Sequence, residues 1–230
     1  MMWGKVCRGR TCLNVGAMCF SATASFTAAS FAGTAGLLTV SRATQVRELP
    51  LAGTPLLFGA QQAIEGCLWL VLPHPDQAAS ALLLANSFAV IALVLWPLYA
   101  PVAATLVEDD AKRRALMWWL MPFGFAFALY SGFDIAQHPY RAVTAAHSLC
   151  YINNSPYPSF AIGVYVLATC GGFWLSTHRA LRVFGVIVTV GLAASLAVFM
   201  ADLVSVWCFF AAGASVALLF HFFQRASVAA

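Results

Sequence analysis

The sequence predicts an all-α, seven-transmembrane helix bundle, with the N-terminus outside and the C-terminus cytoplasmic. Three observations predict it. The chain of 230 residues is 62% hydrophobic and only 9% charged, where a soluble domain carries about 25% charged residues. Its mean hydropathy is +0.83, and a window of about 19 residues finds apolar segments along nearly its whole length. Its basic residues gather in alternate loops. These are the marks of a multi-pass membrane protein of one domain, with the lipid bilayer as its first partner and the cell membrane as its expected location. The net charge of +4 reports topology in such a protein, so no nucleic-acid partner is read from it.

The apolar segments fall near 22–40, 49–72, 79–107, 115–133, 158–176, 181–201 and 204–223. The first carries small residues at Ala24, Ala28, Ala32 and Gly36, a ridge that lets membrane helices approach closely. The second contains Glu65. The third is long and is expected to bend at Pro97 or Pro101, since proline removes a helix hydrogen bond. The sixth and seventh repeat the small-residue theme weakly at Gly191/Ser195 and Ala211/Ser215. Asp202 divides them, by a tight turn or a helix break.

Orientation follows from the loops. Arg42 and Arg47 follow segment one, Lys112, Arg113 and Arg114 follow segment three, Arg179 and Arg182 follow segment five, and Arg225 lies in the tail. The intervening loops hold only Arg141. Lys rich and Arg rich loops stay in the cytoplasm. Lys5, Arg8 and Arg10 would then lie outside. Residues 1–17 are therefore expected to be a non-native or disordered extension, with Met18 as the natural start and 18–230 as the single transmembrane domain. The alternative is that three charges on a short tail are simply translocated.

The chemistry is expected around Glu65. A carboxylate in a bilayer-spanning run costs a few kcal/mol and usually faces the bundle interior or a wet cavity. At 100° per residue Phe58, Gln62, Glu65 and Trp69 share one helix face, with Gln61 beside it. Ser21, Ser148, Tyr151 and Trp207 are placed at the same outer side. The expectation is an outward-facing polar pocket lined by Gln61, Gln62, Glu65, Trp69, Ser21, Ser148, Tyr151 and Trp207, binding a metal ion or small ligand. Two other readings stand beside it. In one, Glu65 is the proton or cation relay of a transporter or channel. In the other, the protein is a structural or partner-binding membrane subunit whose buried polar groups only hold its helices together.

A transition-metal ion is the candidate cofactor, with Cys19, Glu65, His147 and Asp202 as candidate ligands. The competing reading of Cys19 is packing, or a disulfide to Cys150, Cys67 or Cys208 on an oxidising side. The 134–157 loop is long, and long loops are often lids. Leaving its Leu149, Tyr151 and Tyr157 in water costs about 25 cal/mol per Å², so it is expected to pack over the outer mouth. His147 and Tyr151 are four apart, which a short helix would bring onto one face. No paired-cysteine or zinc-helix motif, phosphate loop or nucleophile elbow is present. Lysines stand only at Lys5 and Lys112, so no lysine is available in the last helix for a retinal Schiff base.

The stretch Met18-Cys19-Phe20-Ser21-Ala22-Thr23-Ala24-Ser25-Phe26 resembles the opening of a family of bacterial multi-pass membrane proteins of unknown function, DUF6629. The run from Pro55 to Gly66, Trp96-Pro97 and His147-Ser148 are similar to that family as well. The resemblance covers residues 18 to about 220. It implies a bacterial inner membrane and a start at Met18, and it brings no activity with it.

Overall fold

The computed structural model describes residues 21–145, 148–155, 160–198 and 203–228. Among these the chain is mostly helical. The helices are α1 (Ala22–Arg42), α2 (Leu49–Val71), α3 (Ala78–Val90), α4 (Trp96–Val107), α5 (Ala111–Trp118), α6 (Met121–Gln137), α7 (Ala161–Leu175), α8 (Arg179–Val198) and α9 (Leu203–Val228). A π-helical turn, Ile91–Leu95, joins α3 to α4, and two residues separate α5 from α6. Each apolar segment read from the sequence coincides with a helix or with one such joined run. Pro75–Val107 and Ala111–Gln137 are long and apolar enough to cross a membrane, and Ala161–Leu175 and Phe210–Gln224 are shorter apolar helices. The extension over 1–17, together with Cys19, His147, Tyr157 and Asp202, lies outside the described residues.

One segment departs from the all-helical expectation. Strands β1 (Arg141–Ala145) and β2 (Ser148–Ile152) form an antiparallel hairpin, with Ala142 opposite Tyr151 and Val143 opposite Cys150. The short helix expected to unite His147 with Tyr151 is therefore replaced by a strand over Ser148–Ile152. The physical reason is composition: Val143, Thr144, Tyr151 and Ile152 are residue types that favour a pleated, half-buried surface.

Local sequence explains the helix details. Ser21 caps α1, its Oγ accepting from the Ala24 N–H at 3.2 Å, which satisfies one of the helix's orphan donors. Pro97 has no N–H for the Leu93 carbonyl, and the π turn directly before it absorbs the mismatch. The neighbouring Ala92 carbonyl accepts from Tyr165 Oη on α7 at 2.8 Å. Pro101 frees the Pro97 carbonyl in the same way. Gly124 of α6 packs against that oxygen so closely that a Cβ there would lie 2.1 Å from it, so only glycine fits.

The small-residue ridge of α1 does pack on α2. Ala32 is buried, a Cβ on Gly36 would meet Leu56 at 2.5 Å, and Gly59 of α2 sits against the Ala29 carbonyl. On α8 and α9, Gly191 backs onto Phe210, and Ser195 and Ser215 are fully buried.

The molecule has two distinct ends. At the basic end Arg47 pairs with Asp109 at 3.2 Å, and Arg113 donates to the Leu175 carbonyl at 2.8 Å. Arg42 lies 4.5 Å over the Phe223 ring. At the hairpin end β1 packs on α3 and β2 on α9. Between the ends, polarity is reversed from that of a soluble protein. On α6, Phe125, Leu129 and Phe133 are 62%, 65% and 68% exposed, while Ser131 and Asp134 are 0% and 6% exposed.

Candidate functional site

The centre of the hairpin end is the α2 face anticipated from the sequence. Gln61, Gln62 and Glu65 are all buried. Gln62 Nε2 donates to Glu65 Oε2 at 3.2 Å, as the i, i+3 spacing on a helix allows. Gln61 turns the other way and spans two further helices. Its Oε1 accepts from Trp96 Nε1 of α4 at 2.8 Å, and its Nε2 donates to Cys208 Sγ of α9 at 3.4 Å. The amide thus fixes α2 between α4 and α9 one turn below Glu65.

The hairpin closes this face. Leu149 is fully buried with Leu68 of α2 and Ala85 of α3, and Trp69 and Tyr151 pack against that cluster. Tyr151 stacks on Phe88 of α3, ring centroids 4.6 Å apart and planes 12° apart. Burial, then the nearby Glu65 and Cys208, push the Tyr151 phenol well above its ordinary range. It therefore stays protonated, a neutral donor, across physiological pH. Tyr151 Oη, Trp69 Nε1 and Gln62 Oε1 are all buried without a hydrogen-bond partner. Buried polar atoms are nearly always partnered, so orphans gathered in one place call for an explanation.

Both ends of the hairpin are fastened. Asn86 of α3 grips the chain before β1, its Nδ2 donating to the Tyr140 carbonyl at 3.1 Å and its Oδ1 accepting from the Tyr140 N–H at 2.9 Å. After β2, Asn153 Nδ2 donates to Asp134 Oδ2 at 3.1 Å and to the His138 carbonyl at 3.0 Å. Asp134 Oδ1 also meets His138 Nδ1 at 3.2 Å.

Of the expected pocket, Gln62, Glu65, Trp69 and Tyr151 come together, with Gln61 behind them. Ser148 is buried in β2. Ser21 stands at the α1 N-terminus with its hydroxyl committed to the cap. Trp207 belongs to a different neighbourhood: its Nε1 donates to the Val188 carbonyl at 2.8 Å, and its ring packs on Tyr165 at 5.3 Å. Among the described residues no cluster of three or more His, Cys, Asp or Glu side chains is placed to hold a metal. Of the candidate ligands only Glu65 is described. Cys150 is disulfide-bonded, whereas Cys67 and Cys208 carry free thiols. Both are thereby removed as its partners, and Cys208 instead accepts from Gln61.

Another buried carboxylate, Glu108 at the basic end, was not anticipated. Glu108 is 0% exposed. It accepts from the Thr177 N–H at 2.8 Å, from Thr177 Oγ1 at 2.7 Å and from the Asp110 N–H at 3.0 Å. Burial alone would raise its pKa, but the hydrogen bonds from Thr177, Asp110 and Ser176 outweigh it and hold the carboxyl below its ordinary value. Beside it His178 Nε2 lies 3.0 Å from the Val107 carbonyl and 3.7 Å from Asp109. The only sequence signal for this knot is the acidic run Glu108-Asp109-Asp110 just ahead of Lys112-Arg113-Arg114, which reads as an exposed loop.

No curated protein and no solved structure matches the chain. Residues 18–230 match the model of a family of unknown function, DUF6629, the family that the Met18–Phe26 opening and the Pro55–Gly66 stretch resemble: this chain belongs to that family.

Proposed function

We propose that this is a seven-crossing protein of the bacterial inner membrane, with the hairpin outside, that binds a small ligand or metal ion beneath the hairpin at Glu65. The membrane reading is supported by the reversed polarity of α6 and by the placement of Arg42, Arg47, Arg113, Arg114 and Arg182 toward one end. Outward Phe125, Leu129 and Phe133 would each cost about 25 cal/mol per Å² in water, and cost nothing in lipid. The disulfide at Cys150 favours the oxidising side for the hairpin end, the side that the basic loops independently assign to it.

The observation that carries the binding site is the set of orphaned atoms beside Glu65. Trp69 Nε1 and Tyr151 Oη offer donors, while Gln62 Oε1 offers an acceptor. A complementary ligand therefore carries both an acceptor and a hydrogen-bond-donating group, such as an amine, beside the Glu65 carboxyl. The ring of Tyr151 stacked on Phe88 gives it an apolar wall. The chemistry read from the site is recognition; among its described residues none is an activated nucleophile.

The test is thermal unfolding of the protein in lipid nanodiscs against a panel of divalent metals and small amines. The expected result is a saturable rise in midpoint with at least one probe, lost in Glu65→Gln. Stabilisation shared equally by Glu65→Gln, or none across the panel together with no co-purifying ligand by native mass spectrometry, would overturn the reading.

A further inference from the structure

Protein interiors are packed as densely as organic crystals, and voids larger than a water are few. A void of about 40 Å³ lies inside this bundle, lined by α2, α4, α7, α8 and α9. About 10–15 Å³ on this measure holds one water, so the void has room for roughly three. Its walls are the rings of Phe58, Trp96, Tyr165, Phe184 and Trp207, with the free thiol of Cys208.

The lining has polar atoms, but all are committed elsewhere. Trp96 Nε1 donates to Gln61, Tyr165 Oη to the Ala92 carbonyl and Trp207 Nε1 to the Val188 carbonyl. Thr54 Oγ1 and Thr169 Oγ1 donate to the carbonyls of Pro50 and Tyr165 on their own helices. What faces the void is ring faces, methyl groups and sulfur. A water needs two to four polar partners, and an apolar cavity stays dry and admits apolar guests. The lining also carries no charge, which excludes anions and leaves a strongly hydrated cation without ligands.

The lipid-facing surface reaches close to this void. A wholly apolar groove between α6 and α7 includes Phe123, Phe127, Tyr130, Phe160 and Val164. Its floor residue Phe127 packs on Tyr165 with ring centroids 5.2 Å apart, and Tyr165 is a wall of the void. One pair of aromatic rings therefore stands between groove and void, and aromatic side chains move by rotamer change without breaking the helix.

We propose that the void is a binding chamber for a small, uncharged, apolar molecule of three or four heavy atoms, drawn sideways from the lipid phase past the Phe127–Tyr165 pair. This rests on the membrane reading above but not on ligand binding at Glu65. Gln61 bonds two of the chamber's wall residues, Trp96 and Cys208, from the side of the polar site.

Xenon is the probe, with the full chain in nanodiscs and bound xenon followed by magnetic resonance exchange. The native protein is expected to show a bound-xenon signal distinct from xenon in lipid. Ala211→Val and Ala100→Val, which place methyl groups in the chamber, should each reduce occupancy at least fivefold while the protein still elutes as a folded species. Should one variant misfold, the other serves. Phe127→Ala should raise the exchange rate several-fold with occupancy retained. Glu65→Gln should change neither quantity, so failure of the Glu65 site and failure of the chamber are separable. Absence of a bound signal in the native protein, or a signal that survives both filled variants, overturns the chamber. An exchange rate unchanged by Phe127→Ala overturns the lateral route.

Discussion

Glu65 and Glu108 are both carboxylates withdrawn from solvent, at opposite ends of the bundle, and their surroundings differ in kind. Around Glu108 the donors converge on the carboxylate: two from Thr177 and one from Asp110. Its pKa falls despite burial, which is the sign of a charge that the fold itself stabilises. Around Glu65 the neighbourhood keeps unused capacity, with the orphaned oxygen and N–H of Gln62, Trp69 and Tyr151 beside it. The first arrangement spends its hydrogen bonds on joining α4, α5 and the α7–α8 connection. The second leaves three polar atoms unpartnered, the ones the proposed ligand would use. Burial of a carboxylate alone therefore does not mark a binding site; the proposed site rests on the state of its neighbours.

The largest effect expected from this contrast is on stability at the basic end. Glu108→Ala removes a charged acceptor from Thr177 and Asp110 and should destabilise by about 3 kcal/mol, read as a lower unfolding midpoint; a loss under about 1 kcal/mol would break the contrast. Acid should act on the same group. A carboxyl whose folded pKa is depressed contributes stability above the unfolded value, and that contribution is lost as pH falls through the folded one. The native protein should thus lose stability as the pH drops below the ordinary glutamate range. Glu108→Gln should show a flatter profile there. Glu65→Gln should cost no more than about 1 kcal/mol while removing the response to ligand, and a collapse of the fold would mean that Glu65 is structural glue after all. The smallest effect belongs to Tyr151→Phe. Its hydroxyl has no partner, so its loss should change stability by at most about 0.5 kcal/mol, with either sign. In ligand binding, however, Tyr151→Phe and Glu65→Gln should be non-additive, because both groups would touch the same guest.

The helices were legible because apolar runs of bilayer length, broken by proline, charge and small polar loops, leave few other choices. Glu65 and its i±3 and i±4 neighbours Gln62, Gln61 and Trp69 were legible for the same reason, since a helix fixes which of them share a face. The hairpin was not. The four-residue spacing of His147 and Tyr151 suggested a helix, whereas the β-branched and aromatic residues at Val143, Thr144, Tyr151 and Ile152 carried the deciding preference. Contacts between distant segments were also beyond reach: Gln61 to Trp96 and Cys208, or Asn153 to Asp134, depend on packing angles that no periodicity encodes. Trp207 was drawn to the wrong neighbourhood for that reason. It lies on α9 near Cys208, yet it faces Tyr165 and Val188.

The paired clamps on the hairpin bear on time rather than on affinity. A flap tied at one end swings open about that end, and a guest leaves whenever it does. This hairpin is strapped down at both ends, by Asn86 on Tyr140 and by Asn153 on Asp134 and His138, so neither end can serve as the hinge while the other lifts. Escape from beneath it requires the hydrogen bonds at one end to break first. The dwell time of anything held at Glu65 then depends on two asparagines that never touch it, alongside the covalent tether at Cys150, and loosening either should quicken both arrival and departure while leaving their ratio nearly unchanged.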